Sequence, residues 1–97
     1  MPFKNSYLKI FTNNGNAMYT ITADQLDGNT GFIRTNIIPN EGDAIKYYLY
    51  NEDYCQIGEG NGIVLTPVDS YPRGFKMQLQ TSLEEAFLTS RAEFSPC

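Results

Sequence analysis

The stretch SYLKIFTNNGNAMYTIT, at residues 6–22, is the clearest indication of fold class in this chain. Two runs of strand-forming residues, 6–11 and 17–22, flank an Asn-Gly pair at 14–15. Asn-Gly tolerates the positive φ angles of the tight turns that match strand twist. The sequence therefore predicts that the two runs pair as an antiparallel hairpin.

The next segments also favour strands. Residues 32–38 form a strand-like run that the Pro-Asn-Glu-Gly turn at 39–42 would end. Between the hairpin and this run, residues 23–26 fit a single helical turn. Residues 44–50 fit either a helix or a strand, and their three tyrosines and one isoleucine favour the strand because tyrosine packs well on a pleated surface.

The second half predicts a further hairpin, a strand and a helix. The sequence GEGNG at 58–62 is interpreted as a flexible turn between the strands 54–57 and 63–66, and 67–72 as a loop before the alternating strand 75–80. Ser82, followed three residues later by Glu85, forms a capping-box pattern that begins a helix over 82–91. The side chains expected to be buried on this helix are Leu83, Ala86 and Phe87.

These elements define the fold class. A chain of 97 residues is near the common size of one domain, so residues 1–97 are expected to form a single globular domain. The predicted architecture is α+β, an antiparallel sheet of five to seven strands with a C-terminal α-helix packed on one face.

The net charge of −4 comes from one segment. Residues 39–70 carry six acids against one lysine, and they hold four of the seven tyrosines. A localised acidic, tyrosine-rich stretch is typical of a surface that meets a basic partner. These four tyrosines cannot all face the core, so at least one should be exposed. The predicted partner-binding residues are Glu41, Asp43, Tyr47, Tyr48, Tyr50, Glu52, Asp53, Tyr54 and Glu59.

The residue types argue against catalysis. The chain has no histidine, which removes the commonest general base and metal ligand. Glu84 and Glu85 are explained by the favourable helix dipole at a helix start. The glycine-rich 58–62 carries an acid and precedes a strand, unlike a phosphate-binding loop, and the acids lack the spacing of a calcium loop. We therefore expect no enzymatic activity, no cofactor and no metal.

Charge and cysteine usage limit the partners and the compartment. The seven Lys and Arg residues are scattered singly, so direct nucleic-acid binding is not expected. No apolar run fits a signal peptide or a membrane helix, which predicts a cytoplasmic protein without membrane contact. In that compartment Cys55 and Cys97 are expected to be free thiols.

The leading hypothesis is a small acidic, non-enzymatic binding protein. Its most concrete form is a phage or mobile-element inhibitor whose acidic surface mimics nucleic acid and blocks a basic, nucleic-acid-binding protein or complex. One alternative is a structural or assembly subunit of a virion or accessory complex that associates through strand edges, and another is a small enzyme with a carboxylate site. If the acids bind no partner, they form only a solvated face that maintains solubility. Salt dependence distinguishes the acidic inhibitor from the assembly subunit, because screening weakens charge-driven binding more than it weakens pairing of strand edges.

Overall fold

A computed structural model describes residues 3–12, 18–36 and 38–90. Its six strands form one antiparallel sheet in the order β2-β1-β4-β5-β6-β3, followed by one C-terminal helix. The predicted combination of an antiparallel sheet and a C-terminal helix is confirmed. In chain order the elements are β1 (Tyr7–Thr12), β2 (Met18–Thr22), a 3-10 helix (Ala23–Gln25), β3 (Thr30–Arg34), β4 (Ala44–Tyr50), β5 (Gln56–Val68), β6 (Gly74–Leu79) and α1 (Leu83–Ser90).

The sheet curls until its two edge strands approach each other. The ring of Tyr19, on edge strand β2, meets the ring of Phe75 on β6 edge-on, with centroids 5.8 Å apart. The Tyr19 hydroxyl also accepts a hydrogen bond from Thr35 Oγ1, just beyond edge strand β3, at 3.3 Å. Because β2 and β3 are at opposite ends of the strand order, these contacts give the sheet a nearly barrel-like shape.

The first hairpin is confirmed. Strands β1 and β2 pair antiparallel, from Tyr7 opposite Thr22 to Phe11 opposite Met18. The turn at residues 13–17 lies outside the described residues. The single helical turn expected at 23–26 is present as the 3-10 helix Ala23–Gln25.

The prediction for residues 32–38 placed the strand too late in the chain. Strand β3 spans Thr30–Arg34, because its partner β6 pairs with it only from Gln78, opposite Thr30, to Gly74, opposite Arg34. Residues 44–50, which fitted two structures, form strand β4. This segment pairs with β1 on one side and β5 on the other, with one irregularity in the β5 pairing between Leu49 and Tyr50, and a helix there would leave both neighbouring strands without this partner.

The predicted turn at 58–62 is wrong, because these residues lie inside the thirteen-residue strand β5. Its alternate glycines share the inner face, where there is no room for a side chain. A β-carbon at Gly58 would lie 2.9 Å from the Ala86 carbonyl oxygen in α1, and one at Gly60 would lie 2.6 Å from the Tyr47 ring. The spacing G-x-G-x-G therefore marks a strand face that other parts of the chain approach too closely for side chains to fit.

The helix begins close to its predicted position and buries less than expected. The backbone N–H of Glu85 donates to Ser82 Oγ at 3.1 Å, as the capping-box pattern predicts. Of the three residues expected to be buried, only Ala86 is, whereas Leu83 and Phe87 are half-buried. The helix is short and meets β5 with its backbone at Ala86, opposite Gly58. Leu83 packs against the core while partly buried, and the Phe87 ring meets the Phe3 ring edge-on. Predicted residue 91 lies outside the described residues.

The structure also corrects the expectation for Cys55. Cys55 is buried and disulfide-bonded, not a free thiol, and Cys97 lies outside the described residues. The expectation of free thiols was drawn from the cytoplasmic compartment, whereas disulfides form and persist in oxidising environments. No helix within 3–12, 18–36 and 38–90 has the length and apolar character needed to cross a bilayer.

Candidate functional site

The outward side of β1 and β4 carries a row of aromatic and basic side chains. Side chains alternate along a strand, so burial of Leu8, Ile10, Ile45, Tyr47 and Leu49 turns their neighbours outward. The cross-strand pairs are Tyr7 with Tyr50, Lys9 with Tyr48, and Phe11 with Lys46. We define the tyrosine face as these six residues together with the adjoining loop residue Tyr54.

The aromatic rings of the tyrosine face contact one another. The rings of Tyr7 and Tyr50 are stacked, with centroids 5.2 Å apart and planes 11° apart. Tyr54 meets the Tyr7 ring edge-on at 5.4 Å, and Phe11 meets Tyr48 edge-on at 5.8 Å. Such pairs are worth about 0.5–1.5 kcal/mol beyond the area they bury. The cluster therefore holds its rings in fixed orientations on the outside of the sheet.

The two lysines of the tyrosine face lie over its rings. Lys9 Nζ is 4.6 Å from the centroid of the Tyr50 ring, and Lys46 Nζ is 5.7 Å from that of Tyr48. Lys46 Nζ also lies 3.2 Å from a carboxylate oxygen of Glu59, which is opposite Tyr48 on β5. Exposed ion pairs are worth about 0–1 kcal/mol, so Lys46 can exchange this partner for another anion at little cost.

Tyr54 is positioned by an unusual backbone conformation. Its φ of +62° lies in the left-handed region, which a bulky residue rarely adopts. The Asn51 side-chain oxygen fixes the loop by accepting from the backbone N–H groups of Asp53 at 2.9 Å and Cys55 at 3.0 Å. The Tyr54 side chain is 75% exposed although its ring reaches Tyr7. Strained residues of this kind cluster at functional sites, so the conformation points to a role for this ring.

The surroundings of Tyr7 disfavour ionisation of its hydroxyl group. Burial raises the pKa of Tyr7 above its ordinary value of 10.0, and the neighbouring Tyr54 and Tyr50 raise it further. A protonated tyrosine hydroxyl can both donate and accept a hydrogen bond.

The acids predicted to bind a partner do not gather at one place. Glu41 and Asp43 precede β4, whereas Glu52 and Asp53 follow it, and the seven-residue strand separates the two pairs by about 20 Å. Asp43 accepts from the backbone N–H of Asn40 at 2.9 Å, which is a local turn contact. Glu52 and Asp53 share the loop that presents Tyr54, so they lie at one end of the tyrosine face.

Tyr47 belongs to the core. Its side chain is 0% exposed, and its hydroxyl donates to the Thr81 carbonyl oxygen at 2.6 Å, with the Ser82 carbonyl oxygen at 3.2 Å. Burial, and then the charge of Glu85, raise the pKa of Tyr47 well above 10.0. Tyr48 and Tyr50 are half-buried and Tyr54 is exposed, which confirms that the four tyrosines do not all face the core.

The buried hydroxyl predicts an alkaline loss of stability. Because the folded pKa of Tyr47 is raised, its contribution is complete below the unfolded pKa of about 10 and declines as pH rises above it. The free energy of unfolding should fall by up to about 1.4 kcal/mol per pH unit in that range. Urea melts at pH 8 and pH 11 measure the loss, which should shrink in Tyr47→Phe. An equal loss in the variant would show that Tyr47 is not its source.

Sequence reasoning missed Tyr7, Lys9 and Phe11. Their alternation on the face opposite Leu8 and Ile10 was visible in the sequence, but their neighbours on β4 were not. Strand β1 pairs with β4 across more than thirty residues of chain, and this pairing brings the two sets of rings together. The available signal in the sequence was that the outward positions of β1 are all aromatic or basic.

Neither a metal-ligand cluster among the described residues nor a comparison with known proteins suggests a function. Within the described part of the chain, no three Cys, Asp or Glu side chains gather as metal ligands. The chain matches no protein-family model, no curated protein and no solved structure.

Proposed function

We propose that the protein is a small, non-enzymatic binding protein and that the tyrosine face is its contact surface. The observation that carries the proposal is the cluster of mutually packed aromatic rings on the outer side of β1 and β4. Tyrosine is enriched at interfaces because it supplies a large contact area and a polar tip at low entropic cost. The strained loop that presents Tyr54 supports the same surface.

The ring packing favours binding over a purely structural role. Rings already held by their neighbours lose little conformational freedom when a partner covers them, which improves affinity. Lys9 and Lys46 add charged groups that orient a partner. An assembly role through strand edges has less support, because edge strands β2 and β3 approach each other through the contacts of Tyr19 with Phe75 and Thr35.

A captured partner allows a direct test of the surface. Tyr50→Leu keeps bulk but removes the ring that stacks on Tyr7, and we expect it to weaken binding about thirtyfold, as a moderate interface hot spot does. Tyr71→Leu is the matched control, since Tyr71 is 84% exposed and contacts Arg34, away from the tyrosine face. Surface plasmon resonance on variants with wild-type circular dichroism measures both. Equal affinities for the two variants would refute the proposed surface.

A basic protein partner is a second candidate, favoured by the position of Glu52 and Asp53 beside the exposed Tyr54. In this version the protein is an acidic inhibitor, and its nucleic-acid-like surface of carboxylates and rings blocks a basic groove. Glu59 adds a third carboxylate next to Lys46. Glu41 and Asp43 lie at the far end of β4 and are not part of this version.

Neutralising the two acid pairs separately tests the basic-partner version. Glu52→Gln with Asp53→Asn should slow association with a basic partner several-fold, because rim charges act chiefly on the association rate. Glu41→Gln with Asp43→Asn removes the same charge at the other end of β4 and should have little effect. Stopped-flow association rates at two salt concentrations provide the measurement. Equal effects of the two pairs would show that only total charge matters.

A further inference from the structure

The strands and the rest of the chain carry opposite charge. The six strands contain Lys9, Arg34, Lys46 and Lys76 against the single acid Glu59, although the chain has a net charge of −4. Apart from Glu59, the acids of the described residues lie in the loops, the 3-10 helix or α1. The strands are therefore more basic than the chain as a whole. An anionic ligand meets this positive charge at Lys9 and Lys46, away from the end of the tyrosine face where Glu52 and Asp53 lie.

Two of these cations belong to the tyrosine face. Across the β1–β4 pair, Lys9 is opposite Tyr48 and Lys46 is opposite Phe11, so the lysines are diagonal neighbours. Lysines that look isolated along the sequence are thus brought together by strand pairing. Each lies within 6 Å of a tyrosine ring, which places positive charge directly beside an aromatic platform.

Resting on the proposed function, we infer that the partner taken by the tyrosine face is single-stranded nucleic acid. A base stacks on the exposed ring of Tyr54, further bases lie against the outward parts of the half-buried Tyr50 and Tyr48 rings, and backbone phosphates pair with Lys9 and Lys46. Aromatic side chains beside a basic track are the combination that binds single strands without sequence preference, because every base has a ring face. The strained Tyr54 loop extends the platform beyond the end of β4.

The size and composition of the platform fit a short single strand. From Tyr7 to Phe11 the face runs about 14 Å along β1, enough for a few stacked nucleotides. A duplex hides its base faces and so gains nothing from the rings. With about two phosphate contacts, log affinity should fall against log salt with a slope near −1.4.

The experiment uses a fluorescein-labelled twelve-residue oligothymidylate and the whole protein, read by fluorescence anisotropy at 50–200 mM salt. Tyr54→Leu should weaken binding by between fivefold and about a hundredfold, as loss of one stacked base does. Tyr50→Leu, which removes the ring that stacks on Tyr7, should also weaken binding. Lys9→Gln or Lys46→Gln should each weaken binding and reduce the salt slope by about 0.7. Tyr71→Leu and Lys4→Gln, which lie off the tyrosine face, are the controls and should bind like the wild type.

Glu59→Gln is expected to tighten binding of the oligonucleotide, a change that a loss of folding stability cannot produce. The substitution releases Lys46 from its carboxylate partner, so oligothymidylate should bind up to about fivefold more tightly. A basic protein partner would instead bind this variant more weakly. Tighter binding of the oligonucleotide supports the inference, and weaker or unchanged binding opposes it.

The remaining outcomes separate the inference from the proposed function. Failure of the folded wild-type protein to bind oligothymidylate at 50 mM salt overturns the inference, as does equal binding of a twelve-base-pair duplex or of polyphosphate. If Tyr50→Leu then still abolishes binding of a captured protein, the tyrosine face remains the contact surface and only its ligand is wrong. If Tyr50→Leu affects neither ligand, both proposals fall.

Discussion

Replacement of Tyr47 by alanine is expected to destabilise the fold by about 3–5 kcal/mol, the cost of removing a fully buried aromatic ring. Tyr47 is 0% exposed, and its ring lies against the bare inner face of β5 at Gly60. Its hydroxyl donates to the Thr81 carbonyl oxygen at 2.6 Å, which ties β4 to the segment leading into α1. The substitution therefore leaves both a cavity and an unpaired carbonyl group.

Two variants separate these contributions. Tyr47→Phe keeps the ring and should cost about 1 kcal/mol, the net worth of one hydrogen bond. Tyr48→Ala removes the neighbouring tyrosine, which points outward and is half-buried, and should cost less than Tyr47→Ala. Urea denaturation followed by circular dichroism gives the free energies of unfolding. Equal losses for Tyr47→Ala and Tyr48→Ala would contradict the assignment of Tyr47 to the core.

Replacement of Gly58 by valine is expected to cost about 3 kcal/mol, at the upper end of overpacking effects. A β-carbon at Gly58 would lie 2.9 Å from the Ala86 carbonyl oxygen and 3.2 Å from the Phe87 nitrogen. Both are backbone atoms of α1, so no side-chain rotation relieves the clash. The helix must move away from β5, which exposes Ala86.

Asn61→Val is the matched control for this prediction. Asn61 lies on the same strand but is exposed, and valine favours strands, so we expect a change within about 0.5 kcal/mol. Hydrogen exchange of the α1 amides should accelerate in Gly58→Val and stay unchanged in Asn61→Val. A Gly58→Val protein with wild-type stability and wild-type protection of α1 would contradict the close approach of helix and strand.

Local patterns in the sequence predicted the elements whose structure depends on neighbouring residues. The first hairpin, the strand at Gly74–Leu79 and the start of α1 at Leu83 follow from alternation, turn chemistry and capping. The turn predicted at 58–62 was wrong because glycine is suited both to turns and to places where chain segments pack closely. The deciding contacts, with Tyr47 and the backbone of α1, come from distant parts of the chain.

The candidate site was only partly predictable for a similar reason. The middle tyrosines were identified from composition, and Tyr48, Tyr50 and Tyr54 do lie on one surface. Their partners Tyr7 and Lys9 were missed because long-range strand pairing, not sequence proximity, brings them there. The acids were grouped because they are close in sequence, whereas β4 lies between the two pairs and places them at its opposite ends.

The most direct test of single-strand binding on the tyrosine face is an ¹⁵N chemical-shift titration of the protein with the twelve-residue oligothymidylate. The account predicts that the largest shifts fall on the β1 and β4 amides and on the loop of Tyr54. The amides of Glu41 and Asp43, beyond the far end of β4, should shift little. Shifts concentrated on Glu41, Asp43 or α1, with the tyrosine face unaffected, would contradict it.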